Sequence, residues 1–157
     1  MFRNIAISHM TMNRARVAIN MDGLPEMPIS GLRISDVVAT GKSGMKASHT
    51  LALEPHNVQV NADSGPAFLV RDSKELELDG VSTRKPLPGT PVIRLDRCPG
   101  ALLRGSRAFA GAATFLSVAP GELKNVVLAG NALGAARQPT EEAAGSPQAP
   151  EPATETQ

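Results

Sequence analysis

The fold of this chain is decided by the stretch Leu32-Arg33-Ile34-Ser35-Asp36-Val37-Val38-Ala39. Its apolar residues stand at the first, third, sixth and eighth positions, so two spaced pairs are separated by a gap of three. Five further copies of this phrase follow the same pattern. They are Ile5/Ile7/Met10/Met12, Leu53/Pro55/Val58/Val60, Leu76/Leu78/Val81/Thr83, Ala101/Leu103/Ser106/Ala108 and Val126/Leu128/Asn131/Leu133.

The six copies begin 27, 21, 23, 25 and 25 residues apart. Twenty of their 24 positions are apolar, whereas a composition that is 41% apolar would place about ten there by chance. A repeat of this length predicts a solenoid, in which each copy is one coil and the coils stack.

Within each copy the period is two, which is the period of a β-strand. Gly, Asn, Asp and Pro mark the joints, as they do in turns. Further apolar residues precede several copies and predict more strands on the far side of the coil. They are Met45/Ala47, Phe68/Val70, Ile93/Leu95 and, less regularly, Phe115, Leu116 and Val118.

Two kinds of solenoid have this spacing. A leucine-rich repeat requires Asn or Cys at the sixth residue of the phrase and a helical segment on the far side. Val occupies that position in three of the six copies, and the far side contains Gly65-Pro66 and the run from Lys85 to Gly89, which oppose a helix. We therefore predict an all-β, right-handed parallel β-helix of about six coils, with a leucine-rich repeat and another all-β fold as the alternatives.

The C-terminal residues differ from the repeats in composition. Residues 138–157 contain four prolines and four glutamates, but no basic and no large apolar residue. Such a segment cannot bury enough apolar surface to offset its ordering entropy. We predict a β-helix segment over residues 1–135 and a disordered tail over residues 136–157.

The charge balance does not favour nucleic acid or an anionic membrane as a partner. The chain has 16 basic and 15 acidic residues and a net charge of +1. No run of about 20 apolar residues predicts a membrane span, and no signal peptide pattern opens the chain, so localisation stays open. Met1 leads directly into the most apolar copy, where a solenoid normally has a capping repeat. We expect further coils to precede this one.

Metal and cysteine chemistry find little support in the residue pattern. Cys98 is the single cysteine, and no Cys/His group has zinc spacing. His9, His49 and His56 belong to three different repeats and are interpreted as surface residues. We therefore predict no metal ligands and no cofactor-binding residues.

The first two repeats resemble the downstream part of glycoside hydrolase family 28, the pectin-degrading polygalacturonase family. The resemblance lies in Asn4–Met12, Ala18–Ile29 and Leu32–Val38, and its most specific element is Gly23-Leu-Pro-Glu-Met-Pro-Ile29. In that family this element forms the turn into the next coil. The resemblance extends to about residue 133, where later coils such as Asn57–Val60 and Lys74–Gly80 look similar to the family's later coils.

Members of this family are inverting hydrolases that use carboxylates as general acid and as base. Their catalytic residues lie in four motifs, namely Asn-Thr-Asp, Asp-Asp, Gly-His-Gly and Arg-Ile-Lys. None of these motifs occurs in this sequence, and the chain has no Trp or Tyr to stack on a sugar ring. We therefore predict no catalytic residue in this chain.

The remaining polar and aromatic candidates have structural interpretations. Glu75 and Glu77 flank Leu76 and are predicted to share a solvated outer face, offset by Lys74 or by basic groups on adjacent coils. The aspartates are predicted to serve turns, because their side chains bond nearby backbone N–H groups, and the phenylalanines to pack in the core or at coil ends. These residues are Asp22, Asp36, Asp63, Asp72, Asp79, Asp96, Phe2, Phe68, Phe109 and Phe115.

Two functional hypotheses follow from the sequence. The first is the C-terminal β-helix segment of a pectin-degrading hydrolase, inactive alone, whose polysaccharide substrate belongs to the whole enzyme. The second is a non-catalytic β-helix that binds a partner or associates with itself through an uncapped N-terminal coil, because an open coil presents unpaired backbone groups.

Overall fold

A computed structural model of the chain describes residues 2–144. These residues form a parallel β-solenoid of about six turns, and their one helical element is a short 3₁₀ helix at Leu123–Asn125. The predicted all-β solenoid is confirmed. The far side of the coil is also paired strand, with Met45 opposite Phe68 and Phe68 opposite Ile93, so the leucine-rich repeat is excluded.

Nine strands build the solenoid within residues 2–144. They are β1 (Arg3–Asp22), β2 (Ile29–Ser48), β3 (Thr50–Arg71), β4 (Glu77–Asp79), β5 (Ile93–Asp96), β6 (Leu102–Arg104), β7 (Thr114–Val118), β8 (Val127–Ala129) and β9 (Gln138–Glu142). Coils 1, 2 and 3 are the long strands β1, β2 and β3. Coil 4 contains β4 and β5, coil 5 contains β6 and β7, and coil 6 contains β8 and β9.

The strands stack into two parallel columns. The front sheet contains the first halves of β1, β2 and β3, followed by β4, β6 and β8. The back sheet contains the second halves of those long strands, followed by β5, β7 and β9. Each strand therefore pairs with its equivalent in the next coil, about 20 to 25 residues along the chain.

The register of the front sheet agrees with the predicted repeat. Ile5 pairs with Leu32 and Leu32 with Leu53, while Leu78 pairs with Leu103 and Leu103 with Leu128. Equivalent apolar residues thus lie in columns inside the coil, where Leu53, Leu78 and Leu103 are completely buried. Burial of one such side chain contributes about 1.5–3 kcal/mol.

The phenylalanines divide into three environments. Phe68 and Phe115 are fully buried in the core, as predicted. Phe109 is half-buried, and the guanidinium carbons of Arg84 and Arg107 lie 4.4 and 5.1 Å from its ring centroid. Phe2 differs from the prediction of packing, because it is 72% exposed beside the open first coil.

One corner of the coil repeats a left-handed backbone conformation. The column begins with polar residues and continues with glycines, and all have positive φ: His9, Asp36, Asn57, Gly80, Gly105 and Gly130. Asn, Asp and Gly tolerate this conformation better than other residues. The Asp, Asn and Gly joints in the sequence are thus the corners at which each coil bends.

Both ends of the described solenoid expose apolar side chains on the front sheet, and coil 6 adds polar residues on the back sheet. In coil 1, Ile7 and Met10 are each 39% exposed, whereas their partners in coil 2, Ile34 and Val37, are only 2% and 1% exposed. In coil 6 the polar Glu142 stacks on Val118, and its carboxylate accepts hydrogen bonds from backbone N–H groups. Coil 1 thus exposes apolar interior columns, whereas coil 6 combines the polar Glu142 on the back sheet with Leu128 on the front sheet, which is 41% exposed.

The structure corrects the predicted start of the tail. Residues 138–142 were predicted as disordered, yet they form β9 and pair with β7. The physical reason is that the backbone of β7 offers a ladder of hydrogen bonds to any sequence, and Glu141 adds a bond from the Thr114 hydroxyl at 3.1 Å. The rest of the predicted tail, residues 145–157, lies outside the described residues.

Shortening an interior leucine should destabilise the solenoid strongly. Leu78→Ala leaves a cavity in the fully buried front column and should lower the free energy of unfolding by about 2–5 kcal/mol. The matched change Leu24→Ala alters a residue that is 55% exposed and should cost less than about 0.5 kcal/mol. Urea unfolding followed by circular dichroism measures both, and equal losses would contradict the assigned interior.

A second prediction concerns the turn between β1 and β2. Gly23 donates its N–H to Ser48 at 3.0 Å, and a Cβ there would clash with the carbonyl oxygen of His49. Gly23→Ala should therefore cost about 1–3 kcal/mol in urea unfolding, as overpacking does. Gly134→Ala is the control, because a Cβ at that position meets nothing within 4 Å. If Gly23→Ala were as stable as the control, the close packing of this turn would be disproved.

Candidate functional site

A groove on the outer face of the front sheet is lined by acidic, basic, hydroxyl and imidazole side chains. Its volume is about 530 Å³, and strands β2, β3, β4 and β6 supply its walls. The lining residues are Arg33, Ser35, Asp36, Glu54, Pro55, His56, Glu77, Asp79 and Arg104. A groove of this size can hold a small molecule or a short segment of a polymer.

The groove exists because the strands are paired in register. Residues that alternate with the buried columns point outward, and equivalent outward residues lie on adjacent coils about 4.8 Å apart. One row therefore contains Arg33 beside Glu54. A second row contains Ser35, His56 and Asp79 on three successive coils, followed by Arg104.

Ion pairs connect the coils across the groove. Arg33 donates from Nε and Nη2 to Oε2 of Glu54, at 2.9 and 2.8 Å. Arg104 places Nη2 2.5 Å from Oε1 of Glu77 and 3.3 Å from Oδ2 of Asp79. Because these side chains are partly solvated, each pair contributes at most about 1 kcal/mol, but together the pairs fix the orientation of the groove's side chains.

His56 is held in place by the next coil. Its Nδ1 lies 3.1 Å from Oδ2 of Asp79, which is itself shared with Arg104. A carboxylate on one ring nitrogen of a histidine selects the tautomer and orientation of the ring. His56 is therefore the groove residue best placed to accept or donate a proton at its other nitrogen.

The predictions for the glutamates are half confirmed. Glu77 is offset by a basic group on an adjacent coil, Arg104, as predicted. Glu75 does not share the outer face of β4, because the strand begins at Glu77 and Glu75 has a left-handed backbone with φ of 52°. The reason is that the coil bends at this corner before the strand begins.

The prediction that the aspartates serve turns holds only for the backbone of Asp36 and Asp72, which lie at left-handed corners, because their side chains bond Asn57 and Arg97 rather than nearby backbone N–H groups. It is wrong for the other four, which lie within strands and bond side chains or charged groups of neighbouring residues and coils. Asp22 bonds Ser48, Asp63 bonds Lys85, Asp79 contacts His56 and Arg104, and Asp96 contacts Arg71 and Arg94. Strand pairing already occupies the backbone groups that a turn would have left free.

The three histidines lie in separate places. His56 is in the groove, His9 lies 3.7 Å from Asp36 at one corner, and His49 lies at a different corner. Residues 2–144 contain no group of three or more His, Cys, Asp or Glu side chains arranged to hold a metal ion. The same residues contain no helix long and apolar enough to cross a membrane.

Sequence reasoning missed the groove, although a signal for it was present. The second and fourth residues of each repeat copy point outward, and aligning the copies places Ser35, His56 and Asp79 in one row. The apolar residues of each copy face the interior, and the residues between them form the outer rows. An alignment of those residues across the copies predicts that they lie side by side in one groove.

A second polar contact lies at another corner of the coil. Asp72 and Arg97 form a bidentate pair, with Nε–Oδ1 and Nη2–Oδ2 distances of 2.5 and 2.9 Å. The hydrogen bond from Arg97 lowers the pKa of Asp72 and raises the pKa of Arg97. The neighbouring Cys98 is buried, and this burial raises the pKa of its thiol to about 11, so it is protonated at neutral pH.

The Asp72–Arg97 pair should make stability depend on acid. Because folding lowers the pKa of Asp72, the pair stabilises the chain above the carboxyl's usual pKa of about 4, and this stabilisation is lost as the pH falls through the lower, folded pKa. The difference in unfolding free energy between the wild type and Asp72→Asn should be constant above about pH 5 and should shrink as the pH falls below about 4. Urea titrations measure it, Arg97→Gln should follow the same trend, and a difference constant with pH would contradict the assignment.

Comparisons with models of protein families, with curated proteins and with solved structures found no match to this chain.

Proposed function

We propose that this chain is a β-helical segment of a pectin-degrading hydrolase, whose role is to extend and support the coils that carry the catalytic residues. The observation that carries the proposal is the open first coil. Ile7 and Met10 occupy interior columns yet are each 39% exposed, and Phe2 beside them is 72% exposed. Another coil stacked on this face would bury those side chains and pair the free edge of β1.

The resemblance of residues 4–38 to glycoside hydrolase family 28 supports the kind of enzyme proposed. Its most specific element, Gly23–Ile29, coincides with a tight turn in which Leu24 and Met27 exchange backbone hydrogen bonds of 3.2 and 3.0 Å. Gly23 is buried in that turn, so the element has a structural reason to be retained.

The supporting role, rather than a catalytic one, is favoured by the groove's charge. Two arginines face four carboxylates there, which gives a formal charge of −2 with His56 neutral. Polygalacturonate is an anionic polymer, so this surface repels it. The sugar-cleaving carboxylates of the whole enzyme would then lie on other coils.

The test compares this chain with the product of the whole reading frame that contains it. The complete product should release reducing ends from polygalacturonate, and the 157-residue chain alone should release none. Cleavage by the 157-residue chain would contradict the proposal. So would a reading frame whose other coils lack the Asn-Thr-Asp and Asp-Asp motifs.

Variants of the first coil add a structural readout to this test. In the complete product, Met10→Asp places a charge where the proposal expects a buried interior column and should lower the unfolding free energy by several kcal/mol. Thr11→Asp is the matched control, because Thr11 pairs with the outward-facing Val38. Equal stability of the two variants would mean that no coil covers this face.

A second candidate function is association of two copies through their first coils, and the polar back columns of coil 6 favour it. Glu142 and Thr140 occupy back columns of coil 6 beneath Val118 and Leu116. Stacking the first coil of one copy on the last coil of another would bury Glu142 against an apolar column. Two first coils are therefore the better partners, and their isologous contact closes as a dimer.

Light scattering tests this second candidate on the 157-residue chain. The wild type should be a dimer that dissociates on dilution, and Ile7→Asp should be monomeric because it charges the shared face. Ser8→Asp alters an outward residue of the same strand and should remain dimeric. A wild-type monomer at all concentrations, or growth into filaments, would contradict the dimer.

A further inference from the structure

We propose that Ser35, His56 and Asp79 form a hydrolytic site for small neutral carboxylic esters in the outer groove. The three residues lie at the same outward position of coils 2, 3 and 4, where Ser35 pairs with His56 and His56 with Asp79. All three line the groove. A nucleophile, a base and an orienting carboxylate are thereby brought into one row, and this site does not depend on the family proposed above.

The base and the carboxylate are already in contact. Nδ1 of His56 lies 3.1 Å from Oδ2 of Asp79, which makes Nδ1–H the donor and leaves Nε2 as the acceptor. This is the arrangement in which a histidine can deprotonate a serine, because the carboxylate stabilises the imidazolium that forms.

Ser35 lies on the coil before His56, and Asp79 lies on the coil after it. The two ring nitrogens point in diverging directions, so with Nδ1 bonded to Asp79, Nε2 points away from that carboxylate. Adjacent coils are about 4.8 Å apart, which places the Ser35 hydroxyl within reach of the ring after a rotamer change. Among the described residues no hydrogen bond joins His56 to Ser35, and the proposal requires this contact to form when the ester binds; catalytic pairs are often looser without their substrate.

Arg33 is placed to stabilise the developing oxyanion. It lies two residues before Ser35 on the same face of β2, and Glu54 holds its Nε and Nη2 at 2.9 and 2.8 Å. The protons on Nη1 are left to bind an oxygen of the ligand. A fixed cationic donor beside the reacting carbonyl lowers the barrier more than a mobile one, because it needs no reorganisation.

The chemistry proceeds in two balanced steps. The Ser35 Oγ attacks the ester carbonyl carbon and its proton passes to Nε2 of His56; the C–O bond to the alcohol then breaks, and the alcohol leaves with that proton. Water next attacks the acyl carbon and gives a proton to Nε2, which returns it to Oγ as the acyl–serine bond breaks. The products are one carboxylic acid and one alcohol.

The groove also indicates which esters fit. It is open to solvent, and its formal charge of −2 opposes an anionic acyl group. A volume of about 530 Å³ accommodates a small acyl group together with its alcohol. The substrate class is therefore a neutral, accessible ester of a small acid.

Two probes test the proposal on the whole chain. A fluorophosphonate should label the protein once, and tandem mass spectrometry should locate the label on Ser35. The chain should also hydrolyse p-nitrophenyl acetate, and Ser35→Ala should abolish both the labelling and the catalysed hydrolysis. Because an exposed histidine alone can hydrolyse this activated ester, the position of the label decides between the two explanations.

The remaining residues have distinct expected effects. His56→Ala should slow labelling by about 10²–10⁴-fold, the usual contribution of a general base. Asp79 is a positioning residue, so Asp79→Asn should lower kcat with little change in KM, and Asp79→Glu should recover part of the loss. Circular dichroism establishes that each variant is folded.

Ser8→Ala is the matched control, since Ser8 occupies the same column on coil 1 and does not line the groove. It should keep wild-type labelling and hydrolysis. The proposal is overturned if Ser35 is not labelled, if His56→Ala leaves the labelling rate unchanged, or if Ser8→Ala and Ser35→Ala lose activity equally.

Discussion

The in-register parallel pairing of each coil with the next is the constraint on which the rest of this structure depends. Apart from the register shifts after Met12 and Ser43, the backbone hydrogen bonds between coils place each residue over its equivalent one turn later, so like residues accumulate in columns. Leu53, Leu78 and Leu103 are completely buried for this reason. The same backbone pairing also aligns the outward side chains. These residues are far apart in the chain, and no core packing holds them together.

The end coils of a solenoid have a coil on one side only. In this structure the two end coils differ in the residues that they place on the exposed side. Coil 6 ends the back column with Glu142, whose carboxylate bonds the N–H groups of Gly121 and Leu123 and thereby satisfies backbone donors at that end. Coil 1 leaves Ile7 and Met10 exposed on interior columns. Coil 6 also leaves Leu128 41% exposed on the front sheet, so the two ends are alike on the front sheet and differ on the back sheet.

The groove also results from the in-register stacking of coils, here acting on outward polar residues. Alternation puts every second side chain outside, and stacking sets opposite charges beside each other, as with Arg33 and Glu54 or Glu77 and Arg104. No single coil contains this chemistry, because each of the four coils contributes between one and three residues. A solenoid can thus assemble a site from residues more than 20 positions apart without a loop dedicated to it.

The sequence by itself determined the repeat, the strands and the interior columns, because these depend on a local alternation that every coil carries and that burial enforces. Predictions from the sequence failed for residues whose environment is set by other coils. Residues 138–142 look unable to fold alone but are held by β7, Asp79 looks like a turn residue but contacts His56, and Phe2 looks like a packing residue but is exposed. Only the tertiary structure decided the outer face and the ends, since polar side chains exchange partners at little cost and their pairing depends on which coils are adjacent.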